Sequence, residues 1–148
     1  MSKVTRLNYC QFLLVSQINY TLAYFADHTE EFSHDGAKRY LERDKITPRL
    51  VRENVQAQVV TSPQGYVVFD DTVLDKQYAH EIELVRKQYS GNEHRVIRGI
   101  GVMTCVYVNP ELDQFWIIDY RIYDPDRDGK SKLDHVREMV LNVIHDKQ

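Results

Sequence analysis

The chain is short of the features that mark several protein classes. It has only two cysteines, Cys10 and Cys105, and they lie far apart. That excludes a disulfide framework and a zinc site, and it suits a reducing cytoplasm. No run approaches the roughly 20 apolar residues that a membrane span needs, so no membrane partner is expected. Lys3 and Arg6 precede Phe12-Leu13-Leu14-Val15, but Ser16, Gln17 and Asn19 interrupt that run too soon for a secretory leader. There is no nucleophile elbow and no phosphate-binding glycine loop, which disfavours acyl transfer and nucleotide hydrolysis. The six histidines, His28, His34, His80, His94, His135 and His145, show no metal-ligand spacing with one another or with a cysteine. Repeats and low-complexity segments are also absent.

What remains is a chain of 148 residues with 43% hydrophobic content, enough for a real core. Net charge is −3, which does not advertise nucleic-acid binding. Its distribution is uneven. Residues 1–60 carry eight basic against seven acidic side chains, and residues 61–148 carry eleven against fifteen. Within the first part, Lys38, Arg39, Arg43, Lys45, Arg49 and Arg52 outnumber Glu42 and Asp44. Such a local excess either faces phosphates or forms a solvated helix surface.

Hydrophobic spacing predicts a helix over 9–26, with Phe12, Val15, Asn19, Leu22 and Phe25 or Ala26 on one side. The aromatic stripe Tyr9, Phe12, Tyr20, Tyr24 and Phe25 is expected to be core. Ser33 caps a second helix to about Arg43, and Thr47-Pro48 opens a third to about Gln58. These helices suggest a helix-turn-helix-like unit. Thr61-Ser62-Pro63-Gln64-Gly65 then punctuates the chain. Three strands are expected, over 66–70, about 98–108 and 114–123, the last two forming a hairpin around Asn109-Pro110-Glu111-Leu112-Asp113. Segment 75–95 is charged, with a loop at Gln88 to Asn92. Both faces of the second strand are apolar, which predicts cover on both sides. A final helix spans 132 to about 146, with a Ser131/Asp134 capping box and the stripe Leu133, Val136, Val140, Val143 and Ile144. The fold class is therefore α+β: helices over 1–60, then β-β-β-α over 61–148.

Tyr66-Val67-Val68-Phe69-Asp70-Asp71-Thr72 reads as a buried strand that ends in two adjacent carboxylates. Buried acids need a partner, and a hard divalent cation is one; a turn after the strand is the other reading. Asp124-Pro125-Asp126-Arg127-Asp128-Gly129 matches the start of a calcium loop. His135 stands where that loop needs Glu, and a strand precedes it rather than a helix, so a polar connection is favoured. Asp119 and Arg121 share a strand face and are expected to form a structural ion pair.

Val68-Phe69-Asp70-Asp71-Thr72, then Lys76, then Arg86-Lys87-Gln88-Tyr89-Ser90-Gly91-Asn92, resembles the start of the catalytic domain of DDE-superfamily insertion-sequence transposases. Phe12-Leu13-Leu14-Val15-Ser16-Gln17-Ile18-Asn19-Tyr20-Thr21 is similar to the helical lead-in of cyanobacterial members. The resemblance implies the first half of a ribonuclease-H-like fold and a DNA endonuclease and strand-transferase using Mg²⁺ held by Asp, Asp and Glu. On that basis Asp71 is the first metal ligand, with Asp70 a supporting or alternative ligand. Lys38, Arg39, Arg43, Lys45, Arg49 and Arg52 become DNA contacts, and terminal inverted repeats and an intact transposase become partners. The second Asp and the Glu have no counterpart before Gln148. The resemblance therefore implies a truncated copy that lacks activity, or a module that binds DNA or transposase without catalysis.

Overall fold

The structure, a computed structural model, describes residues 3–16, 21–78 and 81–145. It forms two compact units, 1–46 and 47–148. The division falls earlier than the composition break near 60, because the helix that opens at Thr47 belongs with the sheet.

The first unit holds α1 (Arg6–Val15), α2 (Leu22–Asp27) and α3 (His34–Arg43). Each begins on a hydroxyl residue that accepts from an unpaired first-turn amide. Thr5 Oγ1 accepts from Asn8 N at 3.3 Å while Asn8 Oδ1 accepts from Thr5 N at 3.1 Å, a reciprocal cap. Thr21 caps α2 through Tyr24 N at 3.2 Å, and Ser33 caps α3 through Gly36 N at 3.1 Å. The single helix expected over 9–26 is thus two helices: α1 starts at its Thr5 cap and ends at the extended Ser16, and a fresh cap at Thr21 starts α2. Residues 17–20, including Asn19 and Tyr20 of the expected stripe, lie outside the described residues. Phe12, Phe25, Ala37 and Val4 form the core, with Tyr9, Phe32 and Tyr40 packed around it. Phe12 and Phe25 meet edge to face at 4.9 Å.

The second unit holds α4 (Pro48–Val55), β1 (Tyr66–Asp75), β2 (Arg86–Ser90), β3 (Arg95–Asn109), β4 (Gln114–Ile122), α5 (Pro125–Asp128) and α6 (Lys132–His145). All pairings are antiparallel, and β3 is the spine. β1 lines one side of β3 over its full length, with Asp70 opposite Thr104 and Asp71 opposite Met103. β2 and β4 share the other side, β2 beside Arg95–Gly99 and β4 beside Val102–Asn109.

Three expectations change here. β1 runs on to Asp75, so Asp70 and Asp71 sit mid-strand rather than at a strand tip. The segment expected to loop at Gln88 contributes a fourth strand, and the turn follows it at 91–94. The reason is that β3 begins at Arg95 and its early residues need a partner on that side. Finally, the sheet is not equally covered. One face, carrying Met103, Cys105 and Tyr107, is buried, and Met139, Val136 and Val143 of α6 pack against it. The other face carries Ile100, Val102, Val106 and Val108 and stays partly open, with Tyr66, Val68, Phe115 and Ile117 exposed beside them.

Side chains fix the connections. Asn109 is 1% exposed, donates to Val60 O at 2.8 Å and accepts from Glu111 N at 3.0 Å, which shapes the β3–β4 turn. Ser62 N donates to the Tyr107 hydroxyl at 2.8 Å, anchoring the entry to β1. The ring of Tyr107 leaves no room for a Cβ at Gly65. Ser131 and Asp134 form the expected box at the start of α6, with Ser131 N to Asp134 Oδ2 at 3.0 Å and Asp134 N to Ser131 Oγ at 3.2 Å. No helix among the described residues is long and apolar enough to cross a membrane.

Candidate functional site

Successive residues of a strand point to opposite faces, so Asp70 and Asp71 cannot converge on one ion by themselves. Asp71 shares the covered face with Val67 and Phe69. There Lys132, the first residue of α6, donates from Nζ to both its oxygens, at 2.8 and 2.7 Å. Asp70 stands on the open face and accepts from Thr72 Oγ1 at 2.6 Å. Among the described residues, no three metal-ligating side chains of the His, Cys, Asp or Glu type come together. The donor set therefore does not fit a two-ion clamp: one carboxylate is closed by an ammonium and its neighbour faces away. Lys132 had no signal in the sequence as a partner, since 61 residues separate it from Asp71.

The other motif of the resemblance lies elsewhere on the sheet. Gln88 is on β2 opposite Ile97, and Asp71 is opposite Met103, so about 20 Å of β3 separates the two positions. Gln88 Nε2 donates to Gly99 O at 3.0 Å, while its buried Oε1 meets no donor.

The loop with the calcium-like pattern is tied down by Arg86. Arg86 donates to Asp124 at 2.6 Å and Asp126 at 3.0 Å. Asp128 lies 3.2 Å from Nε2 of His135, which is 3% exposed, although the angle there is too poor for a hydrogen bond. The segment is the short helix α5, closed by Gly129 in the left-handed region at φ 68°. Arg86 and Lys132 also lie 5.8 and 5.4 Å from the centre of the Tyr123 ring, one ring serving two cations.

Asp119 is the most enclosed carboxylate, 1% exposed. It forms the expected pair with Arg121, accepts from Tyr120 N at 2.8 Å, and lies 3.4 Å from Arg52 of α4. β4 slips by one residue at this point, opposite Cys105 and Val106. The bulge lets both Ile118 and Asp119 serve the covered side. Burial, followed by the nearby Asp119 charge, pushes the Cys105 thiol up to about 11.

The six cations expected at DNA are divided between the units. Lys38, Arg39, Arg43 and Lys45 lie in the first; Arg49 and Arg52 lie in the second. Arg52 serves Asp119, and Arg49 pairs with Glu53 at 2.7 Å. In the first unit, Arg39 and Arg43 line a cleft of about 680 Å³ together with Lys3, Ser33 and Tyr40. Lys3 was not singled out from the sequence; it precedes α1 and enters the cleft only through folding. Asp44 also lines the cleft, but Arg6 holds it at 2.6 and 3.0 Å. That guanidinium, with the Tyr40 hydroxyl, draws the Asp44 carboxyl down to about 2. The cleft thus presents three exposed cations against one already neutralised acid.

No known protein family, curated protein or solved structure matches this chain.

Proposed function

We propose that this chain is a DDE-transposase-type protein that binds DNA without supplying the cutting centre. The observation that carries the DNA half is the cleft of the helical unit, where Lys3, Arg39 and Arg43 gather around a carboxylate that Arg6 already neutralises. Cations so arranged attract a phosphate backbone without reading sequence. The transposase half rests on the motifs Asp70-Asp71-Thr72 and Gln88-Tyr89-Ser90-Gly91 and on the order of elements. β1, β3 and β4 lie side by side and antiparallel, with the acids on the first of them, and α6 follows, an order that supports the reading of a ribonuclease-H-like opening. Within this chain, Asp71 serves Lys132 and organises α6. Mg²⁺ chemistry is assigned no step, since the carboxylates present do not converge.

A salt titration of DNA binding tests the reading. Three phosphate contacts predict a slope of log K against log salt of about −3, and the pair Arg39→Ala and Arg43→Ala should bring it to about −1. A slope near zero sinks the DNA half. Mg²⁺-dependent cleavage of inverted-repeat DNA by the purified chain sinks the claim that it does not cut.

A further inference from the structure

The open face of the sheet is too apolar for a surface that meets only water. Tyr66, Val68 and Leu74 of β1 are 52, 42 and 47% exposed, and Phe115, Ile117 and Ile122 of β4 are 69, 46 and 41% exposed. Val102, Val106 and Val108 of β3 fill the space between them. Together these side chains expose on the order of 600 Å², at the upper limit for the largest patch on a monomer.

We propose that this face binds a second copy of the same chain, sheet on sheet, about a two-fold axis running along β3. The register supplies the argument. The rows across the sheet are Tyr66–Val108–Phe115, Val68–Val106–Ile117, Asp70–Thr104–Tyr120 and Thr72–Val102–Ile122. A two-fold along β3 lays β1 of one copy over β4 of the other and keeps the rows level. Tyr66 then meets Phe115, and Val68 meets Ile117. Asp70, the only charge in these rows, lies over Tyr120 and not over another carboxylate, and the contact occurs twice by symmetry. The other two-fold, across the strands and centred on the five rows from Tyr66–Val108 to Leu74–Ile100, would set Asp70 against Asp70, which costs like-charge repulsion in a drying interface. Aligned sheets stack about 10 Å apart, a spacing these side chains fill.

The area agrees. Covering about 600 Å² on each copy removes about 1,200 Å² in total, the lower end for a specific interface. Lys87 and Arg98 lie in the next row beyond Leu74 and Ile100, where a polar rim belongs. Self-association through this face does not depend on DNA binding.

The experiment is sedimentation velocity on the full chain over a concentration series. A concentration-dependent dimer is expected, and Ile117→Glu should weaken it by at least about thirtyfold. Circular dichroism checks that this variant keeps its fold. The axis is tested by disulfide capture in a Cys10→Ser background. Val68→Cys protein mixed with Ile117→Cys protein should cross-link, while Val68→Cys alone should not. In one copy these positions lie on either side of Val106, about 10 Å apart and out of disulfide reach. A monomer at all concentrations overturns the proposal. A dimer indifferent to Ile117→Glu places the contact elsewhere and overturns it too, and cross-linking of Val68→Cys protein to Thr72→Cys protein in place of Ile117→Cys protein overturns the axis.

Discussion

The two faces of the sheet are built from the same kinds of residue and behave differently. On β3, the odd-numbered Met103, Cys105 and Tyr107 are buried, whereas the even-numbered Val102, Thr104, Val106 and Val108 are only partly so. The difference comes from elements distant in sequence. α6 lays Met139, Val136 and Val143 on the odd face, and α4 sends Arg52 to Asp119 on the same side. Among the described residues of the second unit, nothing comparable covers the even face. Asp70 and Asp71 make the contrast at single-residue scale: adjacent in sequence, they part at the strand, one to an ammonium and one to a hydroxyl. The lesson is that apolarity on both faces of a strand states a need for cover, and the topology decides which face receives it.

Substitutions can sharpen that contrast. The largest effect is expected at Asp119 on the covered face. Asp119→Ala takes from Arg52 and Arg121 a carboxylate that is itself 1% exposed and should cost about 3–5 kcal/mol, measured by urea denaturation. Met139 is fully buried, so Met139→Ala should cost about 3 kcal/mol through lost contacts and a cavity. Its counterpart on the open face, Ile117→Ser, should change stability by no more than about 0.5 kcal/mol in dilute protein. Equal costs at the two positions would erase the distinction between the faces.

The acids come next. Asp71→Asn weakens two charge-assisted bonds to a half-exposed Lys132 and should cost up to about 1 kcal/mol, while Asp70→Asn in dilute protein should be nearly neutral. If Asp70→Asn proved the costlier change, the assignment of the pair to opposite faces would fail. The smallest effect is expected in acid and in the helical unit. Asp44 has its folded value drawn down to about 2, below the ordinary value of 3.8. The folded state therefore binds its proton less readily than the unfolded chain. Its contribution is complete above about pH 4 and is lost as pH falls toward 2. Asp44→Asn should flatten that part of an acid-unfolding curve, and an unchanged curve would remove Asp44 from the account.

Local signals in the sequence were enough for much of the fold. Ser33, Thr47 and Ser131 each mark a helix start, because a hydroxyl beside free first-turn amides acts within three residues. The hairpin at Asn109 to Asp113 and the Asp119–Arg121 pair were legible for the same reason. The one helix read over 9–26 failed on short polar residues: Thr5, Ser16 and Thr21 set the boundaries against a continuous apolar period. Strand β2 was missed because Arg86 to Ser90 carries no alternation of its own; it forms to satisfy the start of β3. The basic residues from Lys38 to Arg52 read as one patch because they adjoin in sequence, and a unit boundary between Ile46 and Thr47 divides them.

By itself the sequence determined where the helices after Ser33, Thr47 and Ser131 begin, the cores of three strands, and which side chains are able to carry charge into the fold. These follow from hydrogen bonds and periodicities that span a few residues. Tertiary structure decided the partners: Lys132 for Asp71, Arg52 for Asp119, Arg86 for the Asp124 loop, and Lys3 beside Arg39 and Arg43. It also decided which face of β3 is buried. Those outcomes depend on contacts between residues tens of positions apart, and only the folded chain brings them within reach.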